Sequence, residues 1–194
     1  QTRYFLLREV PFGNDGDFSH RSMVARMNNE LANDYGNLAQ RVLSMVAKNC
    51  DAALPENTAP HADDGALLDQ VYGLLDTVRA AVDRQAFHEA LEAIWVVVRA
   101  ANVYVDRQAP WVLRKQDPTR MASVLYTLSE AIRCLGLLTR PFMPEASDKI
   151  LDLLAVDPEA RSYAAFGAAG ALQPGAALPK PTPVFPRFDD SAGN

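Results

Sequence analysis

The sequence has few of the residues that build metal sites, disulfides or catalytic centres. It contains only two cysteines, Cys50 and Cys134, and three histidines among 194 residues. Neither cysteine belongs to a Cys-x-x-Cys or Cys/His pattern, which excludes a zinc knuckle and a disulfide framework and favours a reducing compartment. We therefore expect no metal site, and we expect Cys134 to be buried on an apolar helix face.

Catalytic sequence patterns are also missing. The chain has no Gly-x-Ser-x-Gly elbow, no glycine-rich phosphate loop and no His-Glu-x-x-His pair. Its adjacent carboxylates, Asp63-Asp64 and Asp189-Asp190, fall in a predicted loop and near the terminus, where solvated caps are common. We therefore predict a binding module with no catalytic residues of its own.

Long hydrophobic runs are absent as well. No stretch is apolar over the ~18–20 residues that cross a bilayer, and the apolar part of the first residues is too short for a signal peptide. We therefore expect no membrane partner. The chain starts without Met, in a segment that has the pattern of the second half of a helix or strand, so we expect it to be part of a longer protein.

Basic charge is scarce over the chain as a whole. The net charge of −5 argues against a general nucleic-acid binder with a broad basic face, and we expect no DNA partner. Residues 99–120 depart from this average, because five basic residues there face two acidic ones, a net charge of +3. Such a cluster is more often a solvated helix face than a site, and both interpretations stay open.

What the sequence does have is helical periodicity. Apolar residues at intervals of three or four predict five helices, at about 20–48, 64–85, 86–108, 117–140 and 145–154. Ser19 or Asp17 is placed to cap the first helix. Residues 164–179 are rich in Ala and Gly, and the four prolines that follow favour an extended strip. Because the strip ends in the apolar residues Val184-Phe185, we expect it to dock on a surface. One candidate is a surface that belongs to a missing part of the protein.

These patterns predict an all-α fold, a bundle of about five helices with an extended Pro-rich strip at the C-terminus. We divide the chain into a leading segment and linker at 1–18, a helical domain at 19–156, and an Ala/Gly/Pro-rich extension at 157–194.

One candidate binding feature is a helix break that precedes an aromatic residue. Pro110 lacks a backbone donor and pushes Ala109 out of the helical region, so the helix should break there. Trp111 follows, with Arg114 and Lys115 close behind. An aromatic face beside cationic groups can hold an unstacked nucleobase near its phosphates. Alternatively, Trp111 only packs one helix against the next.

A second feature is a polar row on the first long helix. Asn33, Asn37 and Arg41 are four residues apart and share one face. Asn and Gly36 both lower helix propensity, so this segment gives up stability for another purpose, and Gly36 would admit the close approach of another backbone. The polar side chains either read the hydrogen-bonding edges of a ligand or bond to a neighbouring loop.

Five segments carry a family resemblance. They are Tyr-Phe-Leu-Leu-Arg-Glu-Val-Pro-Phe-Gly at 4–13, Asp-Gly-Asp-Phe-Ser at 15–19, Asn-Asp-Tyr-Gly-Asn-Leu-Ala-Gln-Arg at 33–41, Gln-Ala-Pro-Trp at 108–111, and the strip from Leu-Pro at 178–179 to Pro-Val-Phe-Pro-Arg at 183–187. In order and spacing, over nearly the whole chain, they resemble bacterial methionyl-tRNA synthetases. The Pro-Phe-Met-Pro-Glu turn at 141–145 is less specific, because related class I synthetases share it.

The resemblance implies a role in the recognition of tRNA. Residues 1–18 would end the stem-contact region, and 19–156 would form the α-helical domain that binds the CAU anticodon of methionine tRNA. The full-length enzyme would attach methionine to this tRNA in the cytoplasm. Its catalytic domain, with ATP and Mg, would lie upstream and is absent here, so the fragment should bind no cofactor and should be inactive alone.

The resemblance also implies roles for individual residues. Asn37 and Arg41 match family residues that read anticodon bases, and Trp111 matches the residue that contacts the wobble cytosine. Asp106 matches a position near the anticodon that repels wrong tRNAs. We group as supporting residues Asn33, Pro110, Arg114 and Lys115. The alternatives are a free-standing helical RNA-binding or scaffold protein built on the same domain, and a purely structural bundle.

Overall fold

The computed structural model describes residues 1–11, 13–15 and 18–188, and this part of the chain folds as an all-α bundle, which confirms the predicted fold class. The helices are α1 (Thr2–Glu9), α2 (His20–Arg26), α3 (Asn37–Asn49), α4 (Ala62–Asp83), α5 (Phe87–Gln108), α6 (Pro110–Gln116), α7 (Pro118–Thr139) and α8 (Pro144–Leu153). A π-helical stretch, Met27–Gly36, joins α2 to α3. Three 3-10 turns and an extended strip follow α8.

The five helices expected from periodicity are all present, with ends close to the predicted ones. Two features differ from the expectation: the π-helical stretch inside the first long helix, and the short α6 that starts directly after the break at Ala109. The Ser19 hydroxyl caps α2 by accepting from the backbone N–H of Ser22. The other predicted cap, Asp17, lies outside the described residues.

Helix α7 runs through the middle of the bundle and contacts α3, α4, α5, α6 and α8. Nearly all of its side chains are buried, including Cys134 as expected. Among the described helices, α7 is the one whose length and composition would suit a membrane span, but 89% of its most apolar window is buried inside the bundle. A helix surrounded by other helices is mostly apolar on every side, and this accounts for its high mean hydropathy.

A buried ion pair fixes the ends of α4, α5 and α7 to one another. Arg120, in the first turn of α7, donates to both carboxylate oxygens of Asp64 in α4, with Nη2 2.6 Å from Oδ1. The same guanidinium donates to Gln108 Oε1 at 2.8 Å, and the Tyr104 hydroxyl donates to Asp64 at 2.5 Å. Both members of the ion pair are almost fully buried. The network therefore sets where α5 ends and where the chain turns into α6.

A second buried network anchors the C-terminal extension. Glu130 on α7 accepts from Arg133, from the Tyr72 hydroxyl and from the backbone N–H of Leu172. Arg133 in turn donates to the backbone carbonyls of Ala165 and Gly167. These bonds explain how a segment too rich in Ala and Gly to form a core of its own is held against the bundle.

The end of the strip docks on the π-helical stretch. Phe185 is 6% exposed, and its ring lies 5.9 Å from that of the buried Tyr35. The expected docking is therefore confirmed for Phe185, but its surface belongs to this chain rather than to a missing part. At Gly36, a Cβ atom would lie 2.9 Å from the Leu31 carbonyl oxygen and 3.3 Å from Phe185 Cδ2. The close approach predicted at Gly36 thus comes from a side chain and a π-turn carbonyl.

Helix propensity and packing make opposite predictions for two glycines. Gly73 on α4 has open space around it, so Gly73→Ala should raise the free energy of unfolding by about 0.5–1 kcal/mol. Gly36→Ala should instead lower it by about 1–3 kcal/mol, because the added methyl group overpacks the contact with Phe185 and Leu31. Urea denaturation shows whether each variant gains or loses free energy of unfolding. A stabilised Gly36→Ala variant would contradict the packing described.

The ion pair between Arg120 and Asp64 should make the stability of the fold sensitive to acid. Burial alone would raise the pKa of Asp64, but the hydrogen bonds from Arg120, Tyr104 and the His61 backbone outweigh burial and hold this pKa below its usual value. The pair therefore stabilises the fold fully above the unfolded-state pKa of about 3.9, and this stabilisation is lost as the pH falls through the lower, folded-state pKa.

Arg120→Met should cost about 3–5 kcal/mol at pH 7, because it leaves a buried carboxylate without its partner. The difference from the unmodified chain should shrink as the pH falls, because burial raises the pKa of the unpaired Asp64 in the variant and this carboxyl is protonated at a higher pH than the paired one. Arg84→Met is the matched control: Arg84 pairs with Glu89 on the exposed surface, where loss of a pair costs about 1 kcal/mol or less. Urea denaturation at several pH values measures both, and equal losses in the two variants would contradict a special role for the buried pair.

Candidate nucleic-acid interface

Three of the four predicted anticodon-binding residues meet on one exposed surface. Arg41 Nη2 on α3 donates to Asp106 Oδ1 on α5 at 2.8 Å. The Arg41 guanidinium carbon also lies 5.4 Å from the centre of the Trp111 ring. A single guanidinium is thus held between a carboxylate and an indole, although Arg41 and Asp106 are separated by 65 positions in the sequence.

The break at Ala109 places the indole. Ala109 adopts a left-handed conformation with φ 43° and ψ 59°, and α6 begins with Pro110 in its first turn. A non-glycine residue in this region is uncommon and carries strain. The break expected from the sequence is confirmed, and it turns the chain so that Trp111 faces Arg41 of the neighbouring helix. Pro110 itself is buried.

A side-chain bridge holds the two helices that carry Arg41 and Asp106. The Asn102 amide on α5 donates to the backbone carbonyl of Asp34, in the π-helical stretch, at 3.2 Å. It also donates to the Val98 carbonyl of its own helix. No local sequence pattern singles out Asn102, because its partner lies 68 positions away.

The cluster lies at the surface and not in the core. Trp111 is 41% exposed, and the side chains of Arg41 and Asp106 are 34% and 64% exposed. Beneath the indole lies a small cavity of about 230 Å³. Its lining is apolar except for the Arg41 guanidinium, and it consists of Arg41, Val42, Met45, Val105, Pro110, Leu125 and Leu128. A tryptophan that served only to pack two helices together would bury its ring, so this exposure favours the binding interpretation.

The polar row on the first long helix divides into two parts. Asn37 is exposed, lies one turn before Arg41, and makes no side-chain hydrogen bond to any described residue. Asn33 instead accepts from Arg187 Nη2 of the C-terminal strip at 2.6 Å. Both alternatives drawn from the sequence therefore occur, since Asn33 bonds to a neighbouring segment while Asn37 stays available to a ligand.

The basic window contributes less charge than its composition indicates. Arg120 is buried with Asp64, and Arg99 pairs with Glu92. The remaining basic residues are exposed, and no described carboxylate lies within 4.0 Å of them; they are Arg107, Arg114 and Lys115. Two of the supporting residues thus supply free positive charge beside Trp111.

Metal binding and cysteine chemistry find little support among the described residues. No group of three His, Cys, Asp or Glu side chains among them is placed to hold a metal ion. Burial raises the pKa of the Cys134 thiol to about 12, so this cysteine is a poor nucleophile at neutral pH.

Two family models match the chain. The model described as the anticodon-binding domain of methionyl tRNA ligase matches residues 54–193, and the model described as tRNA synthetases class I (M) matches residues 1–43. Residues 44–53, at the end of α3 and the start of the loop after it, lie between the two matched ranges. The domain limits predicted from composition, at 18/19 and 156/157, stay predictions.

Relatives of known identity agree with these models. The methionine–tRNA ligase of Mycobacterium tuberculosis is 54% identical over 193 residues, which cover 97% of this chain and 37% of the relative. That of Brucella suis is 52% identical over 188 residues, which cover 97% of this chain and 36% of the relative. The chain therefore spans little more than a third of the length of the curated relatives it matches.

A solved structure shows the same fold. The crystal structure of apo Mycobacterium tuberculosis methionyl-tRNA synthetase aligns with a TM-score of 0.92 and 52% identity, over 96% of this chain and 38% of that one. With the family model over most of the chain, this likeness establishes that the chain belongs to the methionyl-tRNA ligase family, in the part that carries the anticodon-binding domain.

Proposed function

We propose that this chain recognises the CAU anticodon loop of methionine tRNA, as part of a cytoplasmic enzyme that attaches methionine to that tRNA. The observation that carries the proposal is the exposed cluster in which Arg41 lies between Asp106 and Trp111. ATP and Mg would be bound by a catalytic domain outside this chain, as the resemblance to methionyl-tRNA synthetases implies.

The cluster suits single-stranded RNA. Bases in an anticodon loop can be unstacked, placed against an aromatic ring and read along their edges. The exposed face of Trp111 offers the ring, and the Asn37 amide and the Arg41 guanidinium offer donors one helical turn apart. Stacking on Trp is worth ~1–3 kcal/mol per base, and a bidentate edge contact discriminates by a similar ~1–3 kcal/mol.

Asp106 gives the cluster a means of rejecting wrong loops. Its carboxylate occupies one side of the Arg41 guanidinium in the free chain and also repels the phosphates of any RNA that approaches. A loop with matching bases supplies new hydrogen bonds to Arg41 and offsets this cost, whereas a loop with other bases does not.

The alternative function is a free-standing RNA-binding or scaffold protein that uses the same domain. The comparisons favour the ligase, because two family models cover nearly the whole chain and the similar proteins are methionine–tRNA ligases. The mass and peptide coverage of the source protein separate the two, since only the ligase requires a nucleotide-binding domain on the same polypeptide.

Trp111→Ala should weaken binding of a CAU stem-loop about 5- to 150-fold, which corresponds to the loss of one stacked base. The matched control is Tyr163→Ala: Tyr163 is 39% exposed and has Arg79 5.8 Å from its ring centre, so it repeats the arrangement outside the proposed interface. Fluorescence anisotropy with labelled RNA measures both variants. Equal losses for CAU and scrambled loops, or an equal effect of the control, would contradict the proposal.

Asp106→Asn should lower the ratio of affinities for CAU and scrambled loops by about 1.4- to 5-fold, as expected for an exposed charge contact worth ~0.2–1 kcal/mol. Asparagine still accepts a hydrogen bond from Arg41 but no longer repels phosphate, so loops without the matching bases gain most. Asp76→Asn, at a fully exposed position on α4, is the control. A ratio of affinities that is unchanged in Asp106→Asn would show that this carboxylate does not contribute to selectivity.

A further inference from the structure

An open groove of about 490 Å³ lies beside the cluster, between the first long helix and the C-terminal strip. Its helical side is formed by Ala32, Asn33, Gly36, Asn37 and Gln40, and its other side by Pro183, Val184, Phe185 and Arg187. We call it the amide groove. It shares Asn37 with the candidate interface, so it continues the polar row away from Trp111.

The charge of the amide groove comes from one residue. Arg187 is the single ionisable side chain in its lining, and no described carboxylate lies within 4.0 Å of its guanidinium. One of its donors is bonded to Asn33 Oδ1, a neutral acceptor, which holds the side chain in place without neutralising it. Because a guanidinium has five N–H donors, most of them remain available to an anionic ligand.

The remaining lining supplies neutral hydrogen-bonding groups and a flat apolar wall. Asn37 and Gln40 present amides, of which Gln40 already donates to Ser44 and Asn37 is free of described partners. Pro183 and Phe185 form the opposite wall. Phe185 packs directly over Gly36, where a Cβ would lie 3.3 Å from its Cδ2, so the missing side chain lets this wall lie close to the helix. One phosphate-binding cation beside amides and apolar rings matches the chemistry of a nucleotide.

We propose that the amide groove binds one further nucleotide of the same RNA loop, next to the three anticodon bases, with Arg187 on its phosphate. This inference rests on the proposed function, because it takes the bases at Asn37, Arg41 and Trp111 as its starting point. A loop seated there continues one turn along the helix into the groove through the shared Asn37.

The test uses the 194-residue chain and a stem-loop that carries CAU in a seven-nucleotide loop. A neutral methylphosphonate replaces one loop phosphate at a time, and binding is measured at several salt concentrations. Arg187→Gln is compared with Lys180→Gln, which removes an exposed charge from the same strip outside the groove. Thermal melting of each variant shows whether the strip stays docked.

With unmodified RNA, Arg187→Gln should lose about 3- to 10-fold in affinity, and its slope of log affinity against log salt should fall by about 0.7–0.9, as for one phosphate contact. The unmodified chain should lose a similar factor when one linkage beside CAU is neutralised. In the Arg187→Gln variant, neutralising that same linkage should not lower the affinity any further. Lys180→Gln should behave as the unmodified chain.

Two results would overturn the inference. One is an Arg187→Gln variant with unchanged affinity and salt dependence. The other is a loss of affinity in Arg187→Gln that has the same size whichever linkage is neutralised. This would mark Arg187 as a purely structural anchor of the strip. Failure of the proposed function looks different, because the unmodified chain would then not prefer CAU over a scrambled loop at all.

Discussion

The Arg41 guanidinium, shared between the Asp106 carboxylate and the Trp111 ring, is the contact on which the functional interpretation depends. Each neighbour contributes something different. The carboxylate fixes the direction of the guanidinium in the free chain, and the indole provides a surface on which a base can stack. Because all three groups reach the surface, a ligand can contact them without unfolding any part of the bundle.

Two buried networks hold the segments around the bundle in place. The Asp64 and Arg120 pair, with Tyr104 and Gln108, fixes the end of α5 just before the strained turn at Ala109. The Glu130 and Arg133 pair, farther along α7, holds the C-terminal extension on the bundle. Because a buried charge that loses its partner is costly, both networks leave few alternative arrangements for the segments they join. Precise placement of an exposed site thus comes from polar contacts well inside the protein.

The sequence predicts those features that arise from nearby residues. The helices follow from periodicity, the break from Pro110, and the polar row from the spacing of Asn33, Asn37 and Arg41. Contacts between distant segments could not be predicted in this way. The pairing of Arg41 with Asp106, the bond from Arg187 to Asn33, and the seat of Phe185 over Gly36 depend on how the helices pack. The π-helical stretch has no local signal either, since its buried residues, Met27, Leu31 and Tyr35, keep an ordinary helical spacing.

Fluorine NMR of the chain labelled with 5-fluorotryptophan would detect the proposed stacking of Trp111 on a base of the CAU loop. The chain has two tryptophans, and Trp95 is fully buried while Trp111 is exposed, so the spectrum contains one internal reference. Addition of the CAU stem-loop should shift the Trp111 resonance and leave that of Trp95 in place, whereas a loop without the first anticodon base should move neither. Binding of the CAU loop with an unchanged Trp111 resonance would contradict the account.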